Sequence, residues 1–334
     1  MTSEQTALSP CLGLDIGTSR IVVAHPTETR FRCESQLNAF ISLPYSRLTE
    51  NLLKRENVLY EVIGRDIVVV GNDAEKFAEV FHVEVRRPML GGVLNPHEPH
   101  SLAVVRRILG KLAGRATVEG HKVFFSIPGP APECDSTLAY HEACCRQILN
   151  ELGYSATPID EGLAVVFGEL ETSNYTGIGI SAGSGLCNVC LAVLSLLVVS
   201  FSVAKAGDFI DQHAAVATGD IATRIRVQKE QSFMLNGFSS DRVRNALTVY
   251  YEEVVRNLVT TVREHLSASQ RLPKLDTAIP LILSGGTAMP RGFLELFRKL
   301  VDGNEFPVRI SEIRLASEPL NSTAKGALMA ALSQ

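Results

Sequence analysis

The chain has 334 residues, 46% hydrophobic and 20% charged, with a formal net charge of −4. That length accommodates two domains with separate cores, and the composition is globular rather than disordered. The mildly acidic balance, with no long run of one sign, argues against nucleic acid as a partner. The opening residues, MTSEQTALSP, lack the basic start and apolar stretch of a secretory signal and have too few apolar residues for an amphipathic anchor, so no direct membrane insertion is expected. Seven scattered cysteines, Cys11, Cys33, Cys134, Cys144, Cys145, Cys187 and Cys190, point to free thiols in a reducing, cytoplasmic setting.

Residues 10–24, PCLGLDIGTSRIVVA, predict a strand, a tight turn and a second strand. Residues 30–75 mix short apolar runs with charges and read as a small β-rich insert. In 101–113, Leu102, Val105, Ile108, Leu109 and Leu112 fall on one helical face. A buried strand at 121–129 stops at Pro128–Gly129, and a helix over 135–152 ends before Gly153. The run 186–204 is long and apolar enough to test as a membrane span, but Asn188 and several serines interrupt it and β-branched residues are frequent. Two buried strands joined near Ser195–Leu196 are predicted instead. On such a strand Cys187 and Cys190 point to opposite faces, which argues against a redox or metal pair. The longest amphipathic helix covers 243–268, with Val243, Leu247, Tyr251, Val254, Leu258, Val262 and Leu266 on one stripe. IPLILSGG (279–286) is a strand entering a glycine turn. A helix at 291–301, a short strand and a small-residue helix at 322–332 follow. The strand–glycine turn–strand near 12–24 recurs near 177–193, each followed by an insert, helices and a buried strand. Two related α/β halves with a ligand cleft between them account for this order.

Three loops carry the chemistry. In LDIGTSR (14–20), Asp15 ends a strand and Gly17-Thr18-Ser19 turns, releasing backbone N–H groups that can hold phosphate; a carboxylate there can hold Mg²⁺ through water. Its plain reading is a hairpin with an Asx-type turn. The second loop spans 181–188, with Ser181, Gly183, Ser184 and Gly185, and the third is SGGTAMPRG (284–292). Gly285-Gly286 in the third leaves room for a flat adenosine against the backbone. His97 and His100, in NPHEPHS, suit a solvated turn better than a metal site. Asp160 and Glu161, adjacent on a helix, point in different directions and do not form an acid–base pair.

Taken together, LGLDIGTSRIVV, TGIGISAGSGLCNV and LILSGGTAMPRGF resemble the two phosphate loops and the adenosine loop of the actin, sugar-kinase and heat-shock-chaperone ATPase superfamily. ATPIDEGLAVVFG (156–168) and SEPLNSTAKGALMAAL (317–332) are similar to its two connecting helices. RPMLGGVLNP (87–96), KAGDFIDQH (205–213) and QKEQSF (228–233) resemble segments of the bacterial actins MreB and MamK. The resemblance implies two actin-like (ribonuclease-H-like) α/β domains flanking a nucleotide cleft, each with a smaller subdomain. The first is expected over residues 10–152 with its insert at about 30–75, the second over 153–318 with a helical subdomain at about 211–275, and 319–334 as a helix returning to the first.

The resemblance also implies roles. Asp15 matches the carboxylate that holds hydrated Mg²⁺. Gly17, Thr18 and Ser19 match the turn around the terminal phosphates, with Ser181, Gly183, Ser184 and Gly185 in the second loop. Glu161 matches the residue that orients the attacking water. Gly207 belongs to the binding set, Lys229 and Glu230 match a pair beside ribose and adenine, and Gly285, Gly286 and Thr287 line the adenosine. One position departs from the pattern: the second loop's leading aspartate falls on Ser181, which removes a negative charge from the metal site. The expected ligands are ATP or ADP with Mg²⁺. The expected activity is an ATP-dependent head-to-tail polymer with slow hydrolysis and an adaptor or cargo protein as further partner. A nucleotide-binding switch with negligible turnover, motivated by Ser181, is the competing reading. A small-molecule kinase, which needs a carboxylate base near an acceptor hydroxyl, finds no second acidic motif.

Overall fold

The structure is a computed structural model that describes residues 11–28, 30–130 and 135–334. Cys134 and the whole N-terminal segment MTSEQTALSP read above lie outside the described residues. The first part of the chain forms β1 (Cys11–Ile16), β2 (Arg20–Pro26), β3 (Phe31–Leu37), β4 (Phe40–Pro44), α1 (Arg47–Arg55), β5 (Tyr60–Ile63), β6 (Asp66–Val70) and α2 (Asn72–Phe81). A two-stranded ribbon, β7 (Met89–Leu90) and β8 (Val93–Leu94), precedes α3 (Ser101–Leu112), β9 (Lys122–Ile127), α4 (Asp135–Glu151), β10 (Ser155–Asp160) and α5 (Glu161–Glu169). Then come β11 (Gly177–Ala182), β12 (Cys187–Val193), β13 (Leu196–Val203), α6 (Gly207–Thr218), α7 (Ala222–Ser232) and α8 (Arg242–Ala268). The chain closes with β14 (Ile279–Ser284), α9 (Phe293–Asp302), β15 (Ile310–Leu315) and α10 (Ser322–Leu332).

The repeat read from the sequence is present in the topology. One sheet runs β10-β9-β1-β2-β3 and the other β15-β14-β11-β12-β13. In each, three strands form an antiparallel meander and two more add in parallel on the far side of the first strand. Because β10 pairs with β9, the first sheet continues past the division expected at 152/153. The insert is smaller than expected: residues 31–37 form the edge of the first sheet, and the separate unit is the three-stranded sheet β4-β6-β5 with α1 and α2. The apolar run 186–204 is a hairpin, as its β-branched content predicts. Its turn falls on Leu194 and Ser195, both at positive φ as a two-residue hairpin demands. Cys187 and Cys190 are buried on opposite faces of β12, one in each of two core clusters. Among the described residues no helix is long and apolar enough to cross a membrane.

The helix that follows each sheet packs in the middle of the molecule. A Cβ on Gly162 of α5 would stand 2.7 Å from the Cys190 amide nitrogen of β12, and one on Gly13 of β1 would stand 2.2 Å from the Ala324 carbonyl of α10. Thus α5 leaves the first sheet and lies on the second, and α10 does the reverse. The two helices meet where a Cβ on Gly326 would fall 1.7 Å from the Ala164 carbonyl oxygen. Around this crossing Ala164, Ala324, Ala327, Leu328 and Ala331 form a fully buried cluster. The main cores lie on the outer sides, under α3 and α4 in one half and under α6, α8 and α9 in the other.

In an exposed helix, Gly→Ala gains roughly 0.5–1 kcal/mol from propensity. Gly110→Ala, in α3 with open space around its Cβ, is expected to show that gain. Gly326→Ala is expected to lose more than about 3 kcal/mol, by analogy with overpacked cores. Thermal or urea unfolding of the two variants checks the pair of opposite signs.

Candidate functional site

The three glycine loops converge on one cavity of about 570 Å³ between the halves. It is lined by Asp15, Gly17, Thr18 and Ser19 from the first loop, Ser181, Gly183, Ser184 and Gly185 from the second, and Gly285, Gly286 and Thr287 from the third. Glu161, Lys229 and Glu230 also line it. Of the residues singled out from the sequence, Gly207 does not. It sits behind the second loop, its N–H donating to the Gly183 carbonyl at 3.2 Å, and a Cβ there would meet Thr287 Oγ1 at 2.7 Å. Its place is to let the start of α6 support the loop.

The loops are held by one another. The first turn closes through Gly17 N–H to the Arg20 carbonyl at 3.0 Å, and Asn38 Nδ2 donates to the Gly17 carbonyl at 2.9 Å. Thr18 Oγ1 accepts from Gly92 N–H at 3.1 Å, tying the turn to the Arg87–Pro96 segment. Thr287 Oγ1 donates to the Gly183 carbonyl at 2.7 Å, joining the second and third loops. A Cβ on Gly185 would stand 2.4 Å from Thr18 Oγ1 and 2.5 Å from the Gly92 amide nitrogen, so only glycine lets these loops close together. Ser184 Oγ, at the centre of the second loop, is buried with no hydrogen-bond partner. A buried hydroxyl without a partner costs about 1–3 kcal/mol. The Ser184 hydroxyl within a glycine cradle, with a carboxylate opposite, is the donor set a Mg²⁺-bound phosphate takes, so the residues present fit that group.

Asp15 and Glu161 form the acidic centre. Ser126 of β9 donates to Asp15 Oδ1 at 3.0 Å and accepts from Ile16 N–H. Glu161, the first residue of α5, receives Ser181 Oγ on Oε1 at 2.6 Å and Asn188 Nδ2 on Oε2 at 2.7 Å. Asn188 is fixed in turn, its Oδ1 accepting from Gly129 N–H at 3.1 Å and Ser202 Oγ at 2.6 Å. Burial raises the Asp15 carboxyl to about 6. Burial, and after it the charge of Asp15, push Glu161 well above the usual carboxylate range. Asp160 serves α5 rather than the cavity: its Oδ1 caps the helix by accepting from Leu163 N–H at 2.9 Å, and its Oδ2 accepts from Ser200.

Ser181 therefore acts in a way its sequence position did not reveal, by donating to Glu161. Asn188, absent from the expected set, completes the same clamp. The signal was present in the hairpin: in a register centred on Ser184–Gly185, positions 181 and 188 face each other across β11 and β12. Asp211 and Arg226 were also missed. Lys229, expected beside ribose and adenine, forms a buried 2.7 Å ion pair with Asp211. Arg226 lines the cavity while pairing with Glu75 of α2, and Arg87 pairs with Asp208 of α6 at 2.7 Å. Both of these pairs span the two halves. His97 and His100 stay out of any such centre, and among the described residues no group of three or more His, Cys, Asp or Glu side chains could hold a metal ion.

The topology, the crossed helices and the three-loop cavity define an actin-like α/β fold. The structure of a MamK double-helical filament superposes with a TM-score of 0.68 at 18% identity, covering 96% of this chain and 98% of that one. MreB 5 of Spiroplasma citri bound to AMPPNP gives a TM-score of 0.66 at 14% identity, covering 95% and 94%. The ethanolamine utilization protein EutJ from Carboxydothermus hydrogenoformans gives 0.55 at 15% identity, covering 95% and 89%. No curated protein matches the chain. The chain belongs to the Volactin family, whose model matches residues 11–331.

The raised Asp15 sets a pH dependence. Its folded-state value lies above the unfolded one, so ionising it costs stability. That cost is absent below about 3.8 and is present in full above about 6. Asp15→Asn is expected to stabilise the ligand-free protein at pH 7.5 by on the order of 1–3 kcal/mol. The difference should shrink as pH falls through about 6 and vanish below about 3.8, which denaturant titrations at several pH values check.

Proposed function

We propose that the protein binds ATP with Mg²⁺ in this cavity, assembles head to tail with copies of itself, and hydrolyses ATP slowly. The observation that carries the reading is the convergence of the three glycine loops, Asp15 and Glu161 on one cavity. The filament in the MamK structure and the AMPPNP in the MreB 5 structure lend it support. The outline of residues 10–152, 153–318 and 319–334 serves this reading, with β10 assigned to the first half.

The loop N–H groups and Ser184 would cradle the phosphates, and Gly285, Gly286 and Thr287 would leave space for the adenosine. Asp15 would hold the metal through water, and bound Mg²⁺ would offset phosphate charge. Glu161, its orientation fixed by Ser181 and Asn188, would align a water molecule in line with the terminal phosphate and accept its proton. Its raised pKa suits that task, because a carboxylate pushed upward is the stronger base. Serine at 181 keeps a third carboxylate away from Asp15 and Glu161, where it would raise both further. The same charge deficit supports the second reading, a nucleotide-controlled switch with little turnover, since one carboxylate alone would face the metal from the loops.

Phosphate release measured across protein concentration separates them. The expected result is a rate per subunit that rises above a critical concentration together with light scattering. A flat zero rate with nucleotide bound would favour the switch, and failure to pellet or scatter light with ATP at any concentration would end the polymer reading. Glu161→Gln is expected to lower release about 10²–10⁴-fold while leaving nucleotide binding intact. Ser181→Asp is expected to slow release further, because it replaces a donor to Glu161 with an anion. A gain in turnover would instead identify the missing carboxylate as the limiting defect.

A further inference from the structure

The core face of α8 is apolar from Ala246 to Leu266 apart from two side chains. Thr248 satisfies its hydroxyl on the Arg244 carbonyl at 2.9 Å. Tyr251 does not: its ring is fully buried and its hydroxyl has no hydrogen-bond partner. The ring is fixed, stacked on Phe233 at 4.9 Å and edge-on to Phe293 at 6.3 Å. Both Tyr251 and Phe233 line the cavity together with Asp211, Lys229 and Glu230. Burial, with the charges of Asp211 and Glu230, keeps the phenol well above its usual range, so it stays a neutral donor. A phenylalanine would fill the same volume without stranding a polar atom. Lys229 is committed to Asp211, so it does not serve the tyrosine.

We propose that Tyr251 is a specificity residue whose hydroxyl donates to an acceptor atom on the nucleoside part of the bound nucleotide. The inference rests on the nucleotide reading of the cavity and adds the residue that recognises the end remote from the phosphates. An orphan hydroxyl is costly in the empty protein and satisfied in the complex, so stability and binding should respond in opposite directions to its removal. Merely structural tyrosines lose stability on that change and leave binding alone.

The test uses the full chain and Tyr251→Phe, with MgATP, 2′-deoxy-ATP and inorganic tripolyphosphate as probes. In Y251F the ligand-free melting midpoint is expected to stay level or rise. MgATP affinity is expected to fall about three- to thirtyfold, and tripolyphosphate binding to stay unchanged. A penalty that disappears with 2′-deoxy-ATP would put the acceptor at the ribose 2′ oxygen, and one that persists would put it elsewhere on the nucleoside. Equal MgATP affinity in the two proteins would overturn the inference alone, as would a loss of tripolyphosphate binding in parallel. Absence of any nucleotide binding by the wild-type chain would overturn both this inference and the reading it rests on.

Discussion

The close crossing of α5 and α10 is the constraint on which the rest of the molecule depends. Each helix leaves one sheet and packs on the other, and the two meet through Gly168 and Gly326. Both halves are therefore braced by an element from the opposite half. The same crossing sets the cavity floor: α5 begins with Glu161, and Thr323 near the start of α10 lines the cavity. Helix packing at backbone distance excludes water and leaves no slack, so Glu161 enters the site at a fixed height relative to both β1 and β11. Small residues are required throughout that contact, which explains the alanine-rich composition of α10 better than helix propensity does.

Upon that frame the site solves an electrostatic problem. Two carboxylates are partly shut off from water with no cationic side chain paired to them among the described residues, and each is given neutral donors instead. Ser126 serves Asp15, and Ser181 and Asn188 serve Glu161. Neutral hydrogen bonds recover part of the lost solvation but leave the charge uncompensated, so both pKa values remain raised. A cation entering the site would complete what the donors begin. The cost carried by the ligand-free protein is of the sort that functional sites carry at the expense of stability.

Local patterns made much of this legible in the sequence. Glycine spacing located all three loops, alternating and helical periodicity located the strands and α8, and the recurrence of strand–turn–strand announced two related halves. What stayed hidden was set by contacts between distant positions. Ser181 read as a lost metal ligand because its partner, Glu161, comes from another element 20 residues away. Arg226 carried no local signal at all, yet it pairs with a glutamate 151 positions earlier. The edge strand β3 was absorbed into the insert because charges interleave its apolar residues, which is what an exposed sheet edge carries. Gly207 sat in the right neighbourhood with the wrong orientation, since loop resemblance fixes position along the chain and not which side of the backbone faces the cavity.

The contacts between the halves differ in kind from base to mouth, and this ranks where relative motion costs least. At the base the α5–α10 crossing buries apolar side chains with backbone in contact, and separating it would forfeit several kcal/mol of packing and burial. At the mouth the halves meet through Arg87–Asp208 and Arg226–Glu75. Partly exposed ion pairs are worth roughly 0–1 kcal/mol each, because water solvates the separated charges nearly as well. Arg226 is more buried than Arg87, whereas Glu75 is more exposed than Asp208, so the two pairs are screened to a similar degree. Relative displacement of the halves would therefore cost most at the glycine crossing and least at these ion pairs. Arg226 both lines the cavity and pairs with Glu75 of the opposite half.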